Sequence, residues 1–170
     1  MRRGEPFAHL PPPADAKDAG SRAQLGPAIV LHRELTRRGH PEARAIVAQA
    51  VHAGALAFLG RTVGPISRQA LGGMTPAERR TWLAALGERF PNATLSWEAT
   101  GPDRVSFRVT ACRFVALCRA VGAADLAPLF CAGDATFFGT VEPDVRLDRP
   151  HTLAEGGPDC PFTLSWKEAP

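Results

Sequence analysis

The sequence predicts an α+β fold in which N-terminal helices pack on a C-terminal antiparallel sheet with inserted helices. Two changes of pattern support this prediction. Before Pro91 the apolar residues recur at helical spacing, whereas residues 94–100 and 104–110 alternate apolar and polar side chains around a Thr-Gly-Pro-Asp turn. Helical spacing then returns at residues 112–121 and 125–138, ahead of two short strands.

Domain boundaries and the first helices follow from composition. Residues 1–20 are rich in proline, alanine, glycine and aspartate, which predicts a disordered tail ahead of a single domain at residues 21–170. A first helix is expected at residues 21–38. Residues 41–59 predict a second helix that is apolar nearly all round, and therefore central and buried. A short helix is expected at residues 66–71.

The remaining elements have local signals. A helix is predicted to begin after Thr75. The side chains of Thr75, at the N-cap, and of Glu78, at the third helical position, can accept free backbone N–H groups of the first turn. The proline at the first helical position has no N–H group that needs a partner. Pro128 is expected to bend the helix that carries it. Short strands are expected at residues 145–147 and 162–166.

Composition excludes several classes of protein. The 170 residues carry a net charge of +3 and are 45% hydrophobic. No basic cluster alternates with aromatic residues, so nucleic acid is not an expected partner. The apolar runs look too broken for a membrane span, and no apolar segment typical of a secretory signal follows the N-terminus. We therefore expect a cytoplasmic protein with free cysteines, no membrane partner, no cofactor and no bound metal; the sequence does not indicate its oligomeric state.

All four cysteines lie between residues 112 and 160. Cys118 belongs to an apolar helical stripe, which favours a packing role. Cys112 stands between a strand and a helix, where a thiol can be either reactive or simply packed. Cys131 and Asp134 are almost one helical turn apart and share a face, and the small residues between them leave room for a ligand. A buried aspartate with a raised pKa is a candidate general acid or base.

Cys160 leaves a loop rich in glycine and proline. Gly156 and Gly157 would let backbone N–H groups approach a substrate closely. Arg146 and Arg149 flank the loop, and the fork of an arginine can pair with a substrate carboxylate. A surface turn with solvated arginines is the alternative interpretation of this segment.

These residues resemble the L-2-amino-thiazoline-4-carboxylic acid hydrolase family. The resemblance, over roughly residues 25–166, is carried by an ordered set: Phe107-x-Val109-x-x-Cys112, Cys131-x-x-Asp134 and Arg149-x-x-Thr152-Leu153-Ala154-x-Gly156-Gly157-x-x-Cys160-x-Phe162. It implies hydrolytic opening of a cyclic amidine-like C=N ring that bears a carboxylate, and hence a small anionic substrate. The site residues that the resemblance implies are Cys112, Cys131, Asp134, Thr152, Gly156, Gly157 and Cys160.

Two chemical hypotheses compete. In the first, Cys131 attacks the C=N carbon, Asp134 carries the proton, Cys160 assists, and backbone N–H groups at the two glycines stabilise negative charge. In the second, Cys131 and Cys160 bind a soft metal or organometal, as a weaker similarity to organomercurial lyases implies. A non-catalytic binding module with the same fold is a third alternative.

Overall fold

The computed structural model describes residues 5–63, 68–90, 92–141 and 144–166. Its elements, in chain order, are α1 (Ala16–Arg37), α2 (Ala43–Thr62), α3 (Arg68–Gly72), α4 (Pro76–Gly87), β1 (Ala93–Thr100), β2 (Arg104–Cys112), α5 (Arg113–Ala120), α6 (Ala127–Thr136), β3 (Val145–Asp148) and β4 (Cys160–Trp166). This order confirms the α+β class. Residues 1–4 of the expected tail and 66–67 of the expected short helix lie outside the described residues.

The first helix begins earlier than expected, at Ala16, inside the segment assigned to the tail. Asp15 supplies the N-cap, because its carboxylate accepts the backbone N–H of Asp18 at 2.6 Å. Further upstream, Phe7 packs against the helical core and lies under the guanidinium of Arg22, 5.7 Å from the ring centre. These contacts hold the described N-terminal residues against α1.

The expectation of a central, buried α2 is wrong. Its buried residues are Ala43, Val47, Val51 and Leu59, which form one stripe, while much of the remaining surface is exposed alanine and glycine. Alanine favours helix formation through its low side-chain entropy cost and tolerates exposure, so an alanine-rich helix need not be buried. The apolar composition of α2 therefore reflects helix propensity as much as burial.

Length and composition would allow α2 to cross a membrane, and it is the one such helix among the described residues. The sequence expectation that every apolar run is too broken is therefore wrong by these two criteria. In the structure, however, α2 packs against α1 and α6 through its buried stripe.

The sheet is antiparallel and has the strand order β1-β2-β4-β3. The predicted hairpin is confirmed, with Thr100 paired to Val105 next to the turn. The last strand, β4, inserts between β2 and β3, and its first residue, Cys160, pairs with Val109. This register brings Cys160 close to Cys112, the last residue of β2.

The helix that carries Cys131 starts later than expected. A 3-10 turn at Ala124–Leu126 precedes it, and Pro128 lies in its first turn, where a missing N–H costs no hydrogen bond. Pro128 therefore starts the helix and does not bend it. At its C-terminal end α6 continues into one π-helical turn at Phe137–Val141.

Three buried clusters form the core of the described residues. One packs α1, α2, α5 and α6 around Leu25, Ile29 and Leu126, and the second packs α2 and the π-turn on the sheet around Val105 and Phe137. The third is smaller and forms where β2 pairs with β4. Residues from all three clusters line a cavity between the helices and the sheet.

Candidate active site

A cavity of about 430 Å³ contains the chemically reactive residues. Its lining includes five groups that we call the thiol cluster: Cys112, Cys131, Asp134, Arg149 and Cys160. The sulfurs of Cys131 and Cys160 lie close enough to the other members for their pKa values to respond to those charges. The structure thus brings together three sequence segments that are far apart in the chain.

Each member of the cluster is positioned by a defined element. Cys131 and Asp134 are three residues apart on α6, so they share a helical face, and both line the cavity. Cys112 ends β2, and Cys160 begins the neighbouring strand β4. Arg149 follows directly after β3. The cluster therefore forms where the ends of β2, β3 and β4 meet one face of α6.

Arg149 holds the cluster together. Its fork donates to Asp134 Oδ2 at 2.9 Å and to the backbone oxygen of Cys131 at 2.9 Å. The guanidinium also stacks over the ring of Phe162, 5.1 Å from the ring centre, and only 10% of the side chain is exposed. The fork that was expected to bind substrate is thus occupied by protein acceptors, and Arg149 positions Asp134.

The predicted pair of substrate-binding arginines does not form. Arg146 is exposed on β3 and does not line the cavity, because the alternation of side chains along the strand turns buried Val145 inward and Arg146 outward. Arg61, which the sequence analysis did not single out, does line the cavity. It comes from the last turn of α2, and a single exposed arginine in a helix carries no sequence signal of its own.

Asp134 has an altered acidity. Burial raises its pKa to about 6, although the charge and hydrogen bond of Arg149 act in the opposite direction. The side chain is 28% exposed, but it lines a mostly apolar cavity, so protein replaces much of its hydration. A carboxyl group with a pKa near neutrality can both accept and donate a proton at working pH.

The two principal thiols have different surroundings. Burial and the nearby Asp134 carboxylate raise the pKa of Cys131 to about 12, and its thiol faces the backbone oxygen of Ala127 at 3.8 Å. Cys160 Sγ instead accepts the backbone N–H of Leu153 at 3.1 Å. Burial raises the pKa of Cys160 as well, but the Leu153 N–H and Arg149 both lower it. Of these two sulfurs, Cys160 is better prepared to carry negative charge.

The other cysteines differ in access. Cys112 is partly exposed and lines the cavity. Cys118 is fully buried in the helical core, where burial raises its pKa to about 11, so its predicted packing role is confirmed. All four cysteines are free.

The loop before β4 uses its polar groups internally. Thr152 is buried and caps a 3-10 turn at Leu153–Glu155, where its hydroxyl oxygen accepts the Glu155 N–H. Gly156 and Gly157 donate their N–H groups to the backbone oxygens of Leu153 and Thr152. In this structure neither N–H group is therefore free for the expected role in stabilising substrate charge. What the folded loop offers the cluster is the N–H of Leu153.

Backbone conformation and close packing explain why glycine occupies positions 156 and 157 of the loop. Gly156 has φ of +94°, a left-handed conformation that glycine adopts without steric cost. A Cβ at Gly157 would lie 2.7 Å from His151 Cδ2 and 3.0 Å from the oxygen of Thr152. His151 in turn contacts Asp159 at 2.9 Å, which holds the two ends of the loop together.

Gly133, between the predicted site residues, does not make room for a ligand as expected. A Cβ there would lie 2.5 Å from the Cβ of Ala55, so Gly133 allows α6 to approach α2 closely. His52 Nε2 and Thr136 Oγ1 are 2.9 Å apart across the same interface. His52 therefore links two helices, as a buried or boundary histidine commonly does.

No metal-binding group emerges from the described part of the chain. Among those residues, no three side chains of histidine, cysteine, aspartate or glutamate are arranged to hold an ion. The soft-metal hypothesis therefore rests on the two thiols alone.

Comparison with known proteins identifies the family. No curated protein and no solved structure shows a significant match to this sequence. The profile of one family, described as L-2-amino-thiazoline-4-carboxylic acid hydrolase, matches residues 22–164. The matched residues include every member of the thiol cluster. Because the match covers most of the sequence, this chain belongs to the L-2-amino-thiazoline-4-carboxylic acid hydrolase family.

Proposed function

We propose that the protein is a thiol-dependent hydrolase that opens the ring of a small cyclic substrate by attack on its C=N carbon, the substrate being a thiazoline or cyclic amidine that bears a carboxylate. One observation carries this proposal: Cys131 and Asp134 on α6 and Cys160 at the start of β4, all within the matched region, line a single cavity. An electrophilic carbon in that cavity would have a thiol and a proton-carrying carboxyl group beside it.

Cys160 is the proposed nucleophile, which departs from the sequence expectation of Cys131. The Leu153 N–H and the Arg149 charge both favour a thiolate at Cys160. Arg149 also favours ionisation of Cys131, but among the described residues the Cys131 sulfur faces only the backbone oxygen of Ala127, and the neighbouring Asp134 carboxylate disfavours its ionisation. The Leu153 N–H therefore distinguishes the two thiols. In this proposal Cys131 packs beside the reacting atoms and Arg149 positions Asp134.

The proposed reaction begins from the thiol of Cys160 and the carboxylate of Asp134. As sulfur bonds to the C=N carbon, Asp134 accepts the thiol proton, and the C=N electron pair moves to the ring nitrogen, which takes that proton from Asp134. The ring C–S bond then breaks and its electron pair stays on the departing sulfur, while Asp134 carries a proton from the amino group of the adduct to that sulfur. Water attacks the same carbon, gives a proton to Asp134, and expels the Cys160 sulfur, which recovers the proton.

A ring-opening screen tests this function. Thiazolines and cyclic amidines, with and without a carboxylate, would be incubated with the protein, and products one water heavier would be sought by mass spectrometry. Failure of every compound to open would contradict the proposal. Stoichiometric uptake of a soft metal without turnover would instead favour the thiol-ligand alternative.

Serine variants distinguish the two thiols. We expect Cys160→Ser to lower kcat by at least about 10³-fold, because a serine hydroxyl ionises far less readily than a thiol. Cys131→Ser should retain most of the activity, and Cys118→Ala, outside the cavity, serves as the control for effects on packing. The reverse order of losses would make Cys131 the nucleophile.

A further inference from the structure

We infer that the substrate carries an apolar group larger than its reactive ring, an inference that rests on the proposed function. The cavity of about 430 Å³ falls within the roughly 300–1,000 Å³ that sites for drug-sized ligands occupy. A five-membered ring with one amino group and one carboxylate is far smaller than such ligands. Such a ring, bound alone at the thiol cluster, would leave much of the cavity to water.

The rest of the lining is suited to hydrocarbon. The wall that α1 and α2 contribute includes Ala28, Leu31, Val51 and Phe58, and its polar side chains are only Gln24 and Arg61, both exposed. The reactive groups come from other elements: the end of β2, α6, Arg149 and the start of β4. The cavity therefore joins a reactive region to an apolar one, and transfer of an apolar group from water to that wall is favourable.

Small residues on α2 keep this wall open. Ala50 and Gly54 line the cavity and are exposed, and a Cβ added at Gly54 would meet no atom within 4 Å. Gly60, on the same helix, is equally exposed and equally free of neighbours, but it does not line the cavity. The two glycines are thus a matched pair for a test.

The first measurement is a chain-length series. Thiazoline-4-carboxylates whose 2-amino group carries straight alkyl chains, from methyl to octyl, should show kcat/KM rising about fourfold per methylene until the wall is filled. A flat or falling series, with the unsubstituted ring opened best, would overturn the inference and leave the proposed function intact.

A binding series separates the two proposals. Aromatic thiazole-4-carboxylates with the same alkylamino chains have rings that aromaticity protects from opening, so calorimetry reports only their binding. Their Kd should fall about fourfold per methylene. If Kd falls but no thiazoline is opened, the proposed function fails and the apolar site stands; if Kd does not fall, the apolar site fails.

Variants locate the apolar group. Gly54→Leu should remove the gain in kcat/KM that the longer chains give over the methyl compound, because the added side chain fills the apolar wall. Gly60→Leu should reproduce the wild-type series. If Gly54→Leu retains the wild-type dependence on chain length, the alkyl group does not lie against α2 and this assignment is overturned.

Discussion

The acidity of Asp134 is set by two opposing effects on one side chain. Loss of hydration in the cavity raises its pKa, and the Arg149 fork lowers it, with a net value of about 6. The carboxylate form must accept the thiol proton in the proposed reaction. Activity therefore depends on how much of Asp134 is ionised at working pH.

This balance predicts the pH dependence of kcat/KM. We expect kcat/KM to rise with pH through about 6, as Asp134 loses its proton. Arg149→Met removes the positive charge and the hydrogen bond that lower the pKa of Asp134, so the rise should move to higher pH. Asp134→Asn should lose this limb altogether, with kcat lower by roughly 10²–10⁴-fold. A limb that stays in place in Arg149→Met would mean that another group titrates.

At the scale of the element, the contact between α6 and α2 determines where the site lies. Gly133 meets Ala55 with no space for a methyl group, and the residues on either side of this contact include Asp134. A shift of α6 would therefore move both a site carboxylate and Cys131, on the same helix.

This contact is testable by compensation. Gly133→Ala should lower the free energy of unfolding by about 1–3 kcal/mol, the usual cost of overpacking, and should lower kcat as α6 moves away. The double variant Gly133→Ala/Ala55→Gly restores the space and should recover much of both losses. Denaturant unfolding and kcat, measured for the wild type and these two variants, decide this. Equal stability of single and double variants would show that the two residues do not compete for space.

Helical spacing was sufficient to predict that Cys131 and Asp134 share a face, since that depends only on local geometry. The partner of Arg149 could not be predicted, because a fork that joins residues 15 positions apart depends on how β3 packs beside α6. The two loop glycines were identified as special, but their N–H groups turned inward because a 3-10 turn needs them. Composition also led to a wrong prediction of burial for α2, because alanine content indicates helix propensity better than it indicates burial.

At the scale of the whole molecule, the charge of the cavity is unbalanced. Its charged lining residues are Arg61, Asp134 and Arg149, and the last two pair with each other. Among the described residues, Arg61 has no ion-pair partner. The cavity thus presents one uncompensated positive charge to an anionic substrate.

Arg61 is therefore expected to assist substrate capture. Arg61→Gln should raise KM for a carboxylate-bearing substrate by about 1.5- to 5-fold, the range for exposed ion pairs, and leave kcat unchanged. The difference should shrink as ionic strength rises. Arg146→Gln is the control, since this exposed arginine does not line the cavity. If the two substitutions raise KM equally, the substrate is attracted by the net charge of the protein and not by Arg61 in particular.

The buried carboxyl group also couples the folding of the chain to proton uptake. An unfolded aspartate has its ordinary pKa of 3.8, whereas burial raises the pKa of Asp134 in the folded protein to about 6. Between these values the folded chain binds more protons at this position than the unfolded chain does. The contribution of Asp134 to stability is therefore fully present below about pH 4 and is lost as pH rises through 6. Ionisation of Asp134, which prepares the site for reaction, therefore lowers the stability of the folded chain. The hydrogen bond from Arg149 reduces this loss of stability.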